Sequence, residues 1–410
     1  MDPQRFTDGG QRGNVTYGWR VERFFDLTSV VSQRHMRHNL CFRKYSHTWG
    51  VYPAQHHPAA VALEIMERKG KERVTVFAIQ AAPLKRLRYT LISLLCCAGL
   101  ILLSPAMARP DDFSRWLEDF QAEARAAGIS PNVTQLAFAK MKGPLPRVIE
   151  LDRHQPETTQ SCAGYLVARV TPKRVKLGKW MLKRYPTWLG RIEREYAVQR
   201  RFVVALWGIE TNYGEHTGRF PVIHALATLA YDGRRGTYFR RELMQALRIL
   251  DAGHISLSRM RGSWSGAMGQ CQFMPSTFAR HAVDADRDGR IDIWGSIPDA
   301  LASAANYLAA EKWRGDQTWG RPVRLPAGFA VTHAGLENRL PLAAWHDLGI
   351  RRFDGGRLPR RDLDASLIMP DGPKGPAYIV YDNFRILMRW NRSVSFAVAV
   401  GTLADRISVR

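Results

Sequence analysis

An apolar run that ends in a carboxylate is the feature that most constrains this 410-residue chain. The run extends from Val203 to Ile209 and is followed at once by Glu210. A buried, unpaired carboxylate tends to take up a proton, which is the state that a general acid needs near neutral pH. The alternative is a helix that simply reaches the surface at Glu210. Asn212 and Tyr213, which follow where a last helical turn usually carries Lys or Arg, favour a cleft wall instead.

A second segment, from Gly262 to Ser276, combines glycines with aromatic and amide side chains. Glycines let a backbone turn tightly and approach a ligand closely. Trp264 and Phe273 offer flat faces, and Gln270 and Gln272 offer amide donors and acceptors, a combination suited to a sugar ring and its hydroxyl edge. The plain alternative is a glycine-rich loop leading into a helix, which is compatible with binding because binding loops are often built this way.

These two segments resemble those of the B-type lytic murein transglycosylases. The segments Leu151 to Glu157 and Tyr381 to Arg385 add to the resemblance, which extends from about Asp112 to about Leu403. It implies a mainly α (α+β) fold with a catalytic region at 109–405. Within that region it implies a lysozyme-like core at about 190–315 and 381–405, and a smaller mixed α/β element at about 321–380.

The resemblance also implies an activity: cleavage of the bond between N-acetylmuramic acid and N-acetylglucosamine in peptidoglycan glycan strands, leaving 1,6-anhydro ends. Most glycosidases use two carboxylates, but Glu215 and Asp232 near Glu210 make no convincing second acid. In the resembling family one glutamate suffices, and no cofactor is required. A hydrolytic muramidase of the same fold and a non-catalytic peptidoglycan-binding scaffold are the alternatives.

The resemblance assigns the catalytic role to Glu210 and substrate contacts to a further group of residues. That group consists of Ser263, Gln270, Asn383, Tyr381, Arg234 and Arg235. Ser263 and Gln270 are expected to bond sugar, the arginines to meet peptide or lactyl carboxylates, Asn383 to reach the acetamido group and Tyr381 to form a cleft wall. Each also has a structural reading, such as a turn for Ser263, a solvated turn for the arginine pair or a helix cap for Asn383.

A possible calcium loop follows the glycine-rich segment. Asp284, Asp286, Asp288 and Asp292 stand at positions 1, 3, 5 and 9 of an EF-hand pattern, with glycine at position 6. Position 12 lacks the usual glutamate, and Asp299 could substitute in a stretched loop. The alternative is an Asp-Gly turn. Any Ca²⁺ is expected to be structural, since the glutamate chemistry needs no metal.

The net charge of +23 favours polyanionic partners. No nucleic-acid module stands out, so nucleic acid is not predicted as a partner. Anionic cell-wall polymer or a membrane surface is the better prediction for a peripheral partner, and a general bias toward arginine is the plain alternative.

Residues 85–108 form a predicted signal peptide, with a basic start, the 13-residue apolar run Leu91 to Leu103 and cleavage after Ala108. The run is too short to span a bilayer, so we expect a periplasmic protein. Residues 1–84 remain unassigned and suggest a start codon placed too far upstream. After cleavage only Cys162 and Cys271 remain, which could form a disulfide or stay as two thiols.

The helical periodicity predicts a long helix over 191–206 and further helices over 239–252, 298–310, 383–387 and 395–403. Two strands are predicted, at 329–331 and 377–380, within the smaller mixed element.

Overall fold

The computed structural model describes residues 110–154 and 160–408; the predicted signal peptide and residues 1–84 lie outside this part. Most of the described chain is helical. The helices are α1 Pro110–Ala126, α2 Pro131–Phe138, α3 Pro146–Arg153, α4 Cys162–Arg169, α5 Pro172–Arg184, α6 Pro186–Tyr196, α7 Arg200–Thr211, α8 Val222–Asp232, α9 Gly236–Asp251, α10 Pro275–His281, α11 Ile297–Ala310, α12 Leu342–Asp347, α13 Asp382–Trp390 and α14 Val394–Ile407. Within the described ranges, none of these helices combines the length and apolar composition needed to cross a membrane.

Local sequence signals explain where several helices begin. Ser130 precedes Pro131, and its hydroxyl accepts a hydrogen bond from the Val133 amide at 3.3 Å. Thr171 precedes Pro172 and caps α5 in the same way. Proline fits the first turn because its missing N–H would have no intrahelical partner there, and the capping oxygen satisfies a neighbouring amide.

Helix α7 is the centre of the core, because it is buried at nearly every position between Phe202 and Thr211. It packs against α5, α11 and α14. The single helix predicted over 191–206 is wrong. The chain breaks between α6 and α7 at Ala197, which adopts a left-handed backbone with φ of 52°.

A five-stranded antiparallel sheet forms within residues 320–380. Its strands are β3 Gly320–Arg324, β4 Leu340–Pro341, β5 Arg351–Arg352, β6 Asp364–Ile368 and β7 Ala377–Val380, in the order β4-β6-β7-β3-β5. A second hydrophobic core that includes Trp345, Leu367 and Ile379 accompanies this sheet. The predicted strand at 377–380 is confirmed. The strand predicted at 329–331 is wrong, because Gly328 turns the chain with φ of 71° and a 3-10 helix, Val331–His333, follows.

Two short strands, β1 Phe220–Pro221 and β2 Arg261–Gly262, pair antiparallel and hold the start of the glycine-rich loop beside α8. Within this loop, Cys271 is buried. Cys162 is buried at the start of α4, and the two form no disulfide, so both are thiols. The predicted helices near the end of the chain are confirmed as α13 and α14, each longer than its periodicity indicated.

Candidate active site

Glu210 lies in the last turn of α7, and a tyrosine fixes the end of that helix. Asn212 and Tyr213 both have left-handed backbones, with φ of 52° and 63°, so the chain folds back sharply. The Tyr213 hydroxyl then donates to the carbonyl oxygen of Arg174 in α5 at 2.9 Å. A Cβ atom at Gly208 would lie 2.7 Å from the Tyr213 ring, so this position needs glycine. The carboxylate is therefore carried on a rigid helix end.

The side chain of Glu210 is half-buried in a mostly apolar pocket. The pocket is lined by Leu206, Trp207, Glu210, Gln270, Cys271, Ala300, Leu301, Ala304 and Trp390. Glu210 is the only carboxylate among these described residues. The indole Nε1 of Trp390 donates a hydrogen bond to Glu210 Oε1 at 2.6 Å. This bond favours the ionised carboxylate, whereas the apolar walls favour the protonated form.

Cys271 lies against Glu210 as a neutral thiol. Burial raises the pKa of the Cys271 thiol well above its ordinary range, and the negative charge of Glu210 raises it further. A thiol in this state is a small apolar group with little nucleophilic character. Cys271 therefore contributes to the apolar wall and supplies no second acid or nucleophile.

Gln270, predicted to bond sugar, is a buried brace for the pocket. Its side-chain oxygen accepts from Trp207 Nε1 at 2.9 Å, and its amide nitrogen donates to the Trp294 carbonyl at 3.2 Å. Its backbone oxygen accepts from the Thr211 hydroxyl at 2.9 Å, next to Glu210. The structure thus brings Gln270 to the Glu210 pocket, but the amide is engaged by protein groups.

Ser263 lies half-buried in the turn that opens the glycine-rich loop. Its hydroxyl accepts from the Ala267 amide at 3.0 Å and lies 3.0 Å from the hydroxyl of Ser265. Close packing explains the glycine at 218, because a Cβ atom there would lie 2.0 Å from the backbone carbon of Gly262. Ser263 is therefore a turn residue, and its side chain remains partly exposed.

A groove of about 1040 Å³ adjoins the Glu210 pocket, and Trp390 lines both. Gln272, Phe273 and Tyr307 belong to its walls. The rings of Trp390 and Tyr307 meet at 4.8 Å, and those of Trp390 and Phe273 at 5.3 Å. Aromatic faces of this kind suit the apolar faces of sugar rings.

The sequence does not single out Gln272 and Trp390 as site residues. Gln272 belongs to the loop, but the resemblance assigns the sugar contact to Gln270. The Gln272 amide nitrogen donates to the carbonyls of Gly269 and Thr217, and its side-chain oxygen accepts no hydrogen bond from the described part of the chain. Trp390 gave no sequence signal, because it lies 180 residues from Glu210.

Arg234 and Arg235 converge on a buried carboxylate. Arg234 Nε donates to Asp152 Oδ2 at 2.7 Å, and Arg235 Nη2 donates to Asp152 Oδ1 at 2.5 Å. Asp152 is only 2% exposed, whereas the arginine side chains keep 50% and 43% of their surface. The pair is therefore an anchored, half-exposed cationic group and not a freely solvated turn.

Asn383 and Tyr381 are interior residues, so the expected sugar contact and cleft wall are wrong for this structure. Asn383 is fully buried, accepts from the Arg314 amide at 2.9 Å, and donates to the carbonyls of Arg314 and Gln317. All of its polar groups are thus engaged in holding the loop after α11. Tyr381 is 2% exposed, and its hydroxyl accepts from Arg321 Nε at 3.1 Å.

Three of the five aspartates considered for the calcium loop come together. Carboxylate oxygens of Asp284, Asp286 and Asp299 all lie within 4.8 Å of one another. Asp299 accepts the amides of Ala285 and Asp292 at 2.8 Å, and burial raises its pKa. Three converging carboxylates, one of them buried, fit a hard cation that takes oxygen ligands. Asp288 is outside this group, because its side chain accepts the Arg290 amide instead.

The central helix of this helical core ends in a half-buried glutamate, beside a glycine-rich loop and a groove. This arrangement defines a lysozyme-like protein. The chain belongs to the family described as "Transglycosylase SLT domain", whose sequence model matches residues 112–405. This match covers most of the described residues and both hydrophobic cores.

Known proteins agree with this assignment. The chain is 33% identical over 251 residues to the membrane-bound lytic murein transglycosylase B of Escherichia coli, a match that spans 58% of this chain and 65% of that relative. The fold is similar to that of SltB3 from Pseudomonas aeruginosa in complex with NAG-NAM-pentapeptide. That likeness has a TM-score of 0.70 and 47% identity, and covers 72% of this chain and 79% of the other. Escherichia coli Slt35 in complex with calcium is similar at a TM-score of 0.61 and 27% identity, covering 71% and 92%.

Proposed function

We propose that this protein is a lytic transglycosylase that cleaves the bond between N-acetylmuramic acid and N-acetylglucosamine in peptidoglycan. The observation that carries the proposal is Glu210, the single carboxylate among the described residues of an apolar pocket beside an aromatic groove. The similarity to the membrane-bound lytic murein transglycosylase B of Escherichia coli supports this proposal. SltB3 has also been seen in complex with NAG-anhNAM-pentapeptide.

One carboxylate is enough if it acts twice. Protonated Glu210 gives its proton to the bridging oxygen as the bond from that oxygen to the anomeric carbon breaks. The acetamido group of the substrate stabilises the positive charge that develops on the sugar. Glu210, now ionised, takes the proton from the C6 hydroxyl of muramic acid while that oxygen bonds to the anomeric carbon. The product has a 1,6-anhydro end, and no water is consumed.

The pocket suits both steps. Its apolar walls favour the acid, and the Trp390 indole stabilises the carboxylate that the first step leaves behind. Gln270 and Tyr213 position the pocket and the helix end. We assign the glycan strand to the groove formed by Gln272, Phe273 and Tyr307, with Ser263 near the reacting sugar.

Arg234 and Arg235 are the proposed contacts for peptide or lactyl carboxylates. Both are held by Asp152, and both keep about half of their side-chain surface exposed. Two guanidinium groups against one carboxylate leave a net positive charge at this point. An anionic group of the substrate would therefore meet a cationic surface that is already ordered.

Calcium is proposed as a structural ion held by Asp284, Asp286 and Asp299. An ion there would neutralise the buried Asp299 and tie the loop after α10 to the start of α11. It takes no part in the proposed reaction, because Glu210 supplies both proton transfers.

The proposed location is the periplasm, reached through cleavage after Ala108. N-terminal sequencing of the exported protein should begin at Arg109. Recovery of an exported form that retains any residue before Pro83 would contradict this processing.

Digestion of purified peptidoglycan tests the activity. Wild-type protein should release muropeptides with anhydro ends, identified by mass spectrometry. Glu210→Gln keeps the size of the side chain but loses the transferable proton. Since acid and base steps each contribute about 10²–10⁴-fold, turnover should fall to background while glycan binding persists.

Glu215→Gln is the matched control, because Glu215 is exposed near the same helix end and outside the pocket. It should retain near wild-type turnover. Reducing ends in place of anhydro ends would indicate a hydrolytic muramidase. If Glu210→Gln kept every effect on cell walls, a non-catalytic scaffold would be the better account.

A further inference from the structure

Helix α5 carries a dense positive charge that the proposed reaction does not use. Its 13 residues contain Lys173, Arg174, Lys176, Lys179, Lys183 and Arg184 and no acidic residue. The surrounding stretch is equally one-sided, because no Asp or Glu occurs between 160 and 192. A helix with this composition is typical of a surface that meets an anionic partner.

The charges lie on one face of the helix. At about 100° per residue, the four lysines and Arg184 fall within about 140° of the circumference. All five are exposed, whereas Gly178 and Leu182 on the opposite side are buried. A Cβ atom at Gly178 would lie 2.4 Å from the Tyr213 hydroxyl, so the inner side packs tightly against the helix end that carries Glu210. The outer face of α5 is therefore rigidly presented.

The cations of this face are not neutralised within the described part of the chain, where none of them forms an ion pair. Arg174 differs, since it is half-buried and donates to the side chain of Asn212 at 3.0 Å. Glu193 lines a pocket with Lys183 but is itself paired with Arg200 at 2.6 Å. The face therefore keeps its positive potential.

Trp180 lies at the centre of this face with 51% of its surface exposed. Val167, on the preceding helix α4, is 78% exposed. An indole that is exposed and surrounded by lysines contributes little to packing in the hydrophobic core. It matches the arrangement in which an amphipathic helix places an aromatic side chain at the boundary between lipid headgroups and acyl chains.

We propose that the outer face of α5 docks on the surface of an anionic phospholipid bilayer, with Trp180 at the interface and Lys173, Lys176, Lys179 and Lys183 among the headgroups. The lysines supply compact charges suited to a fluid array of phosphates, and the exposed indole supplies the apolar contact that a hydrophilic polyanion would not need. This inference is independent of the proposed catalytic function.

The test is co-sedimentation of the full chain with vesicles. Vesicles of phosphatidylcholine containing about one third phosphatidylglycerol are compared with vesicles of phosphatidylcholine alone, at physiological ionic strength. The readout is the difference between the two, because any binding by the apolar segment from Leu91 to Leu103, where that segment is retained, is common to both vesicle types. Wild-type protein should prefer the anionic vesicles, and added salt should weaken that preference.

The decisive variant changes the four lysines to glutamine, which keeps the helix propensity. Each basic side chain near an anionic surface contributes about fivefold, so removing four of them should lower the preference by about 600-fold. Trp180→Ser alone should weaken binding severalfold. The matched control removes four exposed arginines of the sheet region, Arg324, Arg352, Arg357 and Arg360, by the same change to glutamine and should bind like wild type.

Digestion of dissolved muropeptide strands reports folding, and all three variants should retain it. Equal binding by the four-lysine variant and wild type would overturn the proposal. The proposal would also be overturned if the arginine control lost as much vesicle binding as the four-lysine variant, because binding would then depend only on net charge. If the four-lysine variant lost binding to purified sacculi but kept its vesicle preference, the face would belong to a wall polymer and the membrane proposal would be wrong.

Discussion

Replacing Trp390 by phenylalanine isolates the hydrogen bond that reaches Glu210. The change removes the indole N–H, which donates to Glu210 Oε1 at 2.6 Å, and keeps an aromatic ring against Phe273 and Tyr307. The bond stabilises the ionised carboxylate more than the protonated acid, whose carbonyl oxygen is a weaker acceptor. Its loss should therefore make Glu210 hold its proton to higher pH.

The size of the effect follows from the burial of the pair. A hydrogen bond to a charged group contributes about 1.5–3 kcal/mol, and the lower end applies because both side chains are half-buried. At about 1.4 kcal/mol per pH unit, the alkaline limb of the pH–rate profile should move up by about one unit. The rate on the acidic side of that limb should change by less than about tenfold, since the acid itself remains.

The assay is kcat/KM for release of anhydro muropeptides from purified peptidoglycan, measured across the pH range. Trp319→Phe is the control, because it removes the bond that the buried indole of Trp319 donates to another carboxylate, Asp405, at 2.9 Å. That variant should lose stability but keep the wild-type alkaline limb. An alkaline limb that stays in place or moves down in Trp390→Phe would refute the reasoning.

Three further outcomes are expected. Calcium at about a hundredfold excess over its Kd should stabilise the fold by about 2.7 kcal/mol, and Asp299→Asn should abolish the resulting rise in Tm. If the Tm in millimolar Ca²⁺ equals the Tm in chelator, the loop is only a turn. Burial lowers the pKa of His254, whose neutral Nδ1 accepts the Ile291 amide at 3.1 Å, so the folded state binds the proton less readily than the unfolded chain. Stability should then fall as pH drops below about 6.5, and His254→Asn, which keeps an acceptor, should show a flatter Tm between about pH 7 and 5. Asp152→Asn should lower the free energy of unfolding, measured in urea, by about 2 kcal/mol. This loss is smaller than that for breaking a fully buried ion pair, because the two arginine partners are half exposed. An unchanged urea midpoint would show that these ion pairs do not stabilise the fold.

Local order was predictable from the sequence where periodicity and caps agree. The Ala-rich stretch at 298–310 is α11, as the helical periodicity predicts, and the side chain of Ser130 caps α2 just before Pro131. The break at Ala197 was not predictable, because alanine is a strong helix former and nothing nearby marks a left-handed residue.

The site was only partly predictable, because its contacts are long-range. Glu210 could be found from an apolar run that ends in a carboxylate. Its partner Trp390 could not, since 180 residues separate the two. The contact expected for Asn383 came from the family resemblance, which carries a role over by position and does not show whether the side chain is buried. Its full burial and its bonds to Arg314 become visible only when the loop after α11 is in place.

Gln270 and Gln272 show why an irregular loop resists prediction even when its residues are recognised. Both are amides, two positions apart, and no helical or strand period fixes which one faces the groove. The backbone decides it, because Gly269 and Gln272 are left-handed with φ of 65° and 50°. These turns send Gln270 inward to brace Trp207 and leave Gln272 on the groove wall. The two amides therefore have different places: Gln270 holds the Glu210 pocket in shape, and Gln272 lies on the wall of the groove to which we assign the glycan strand.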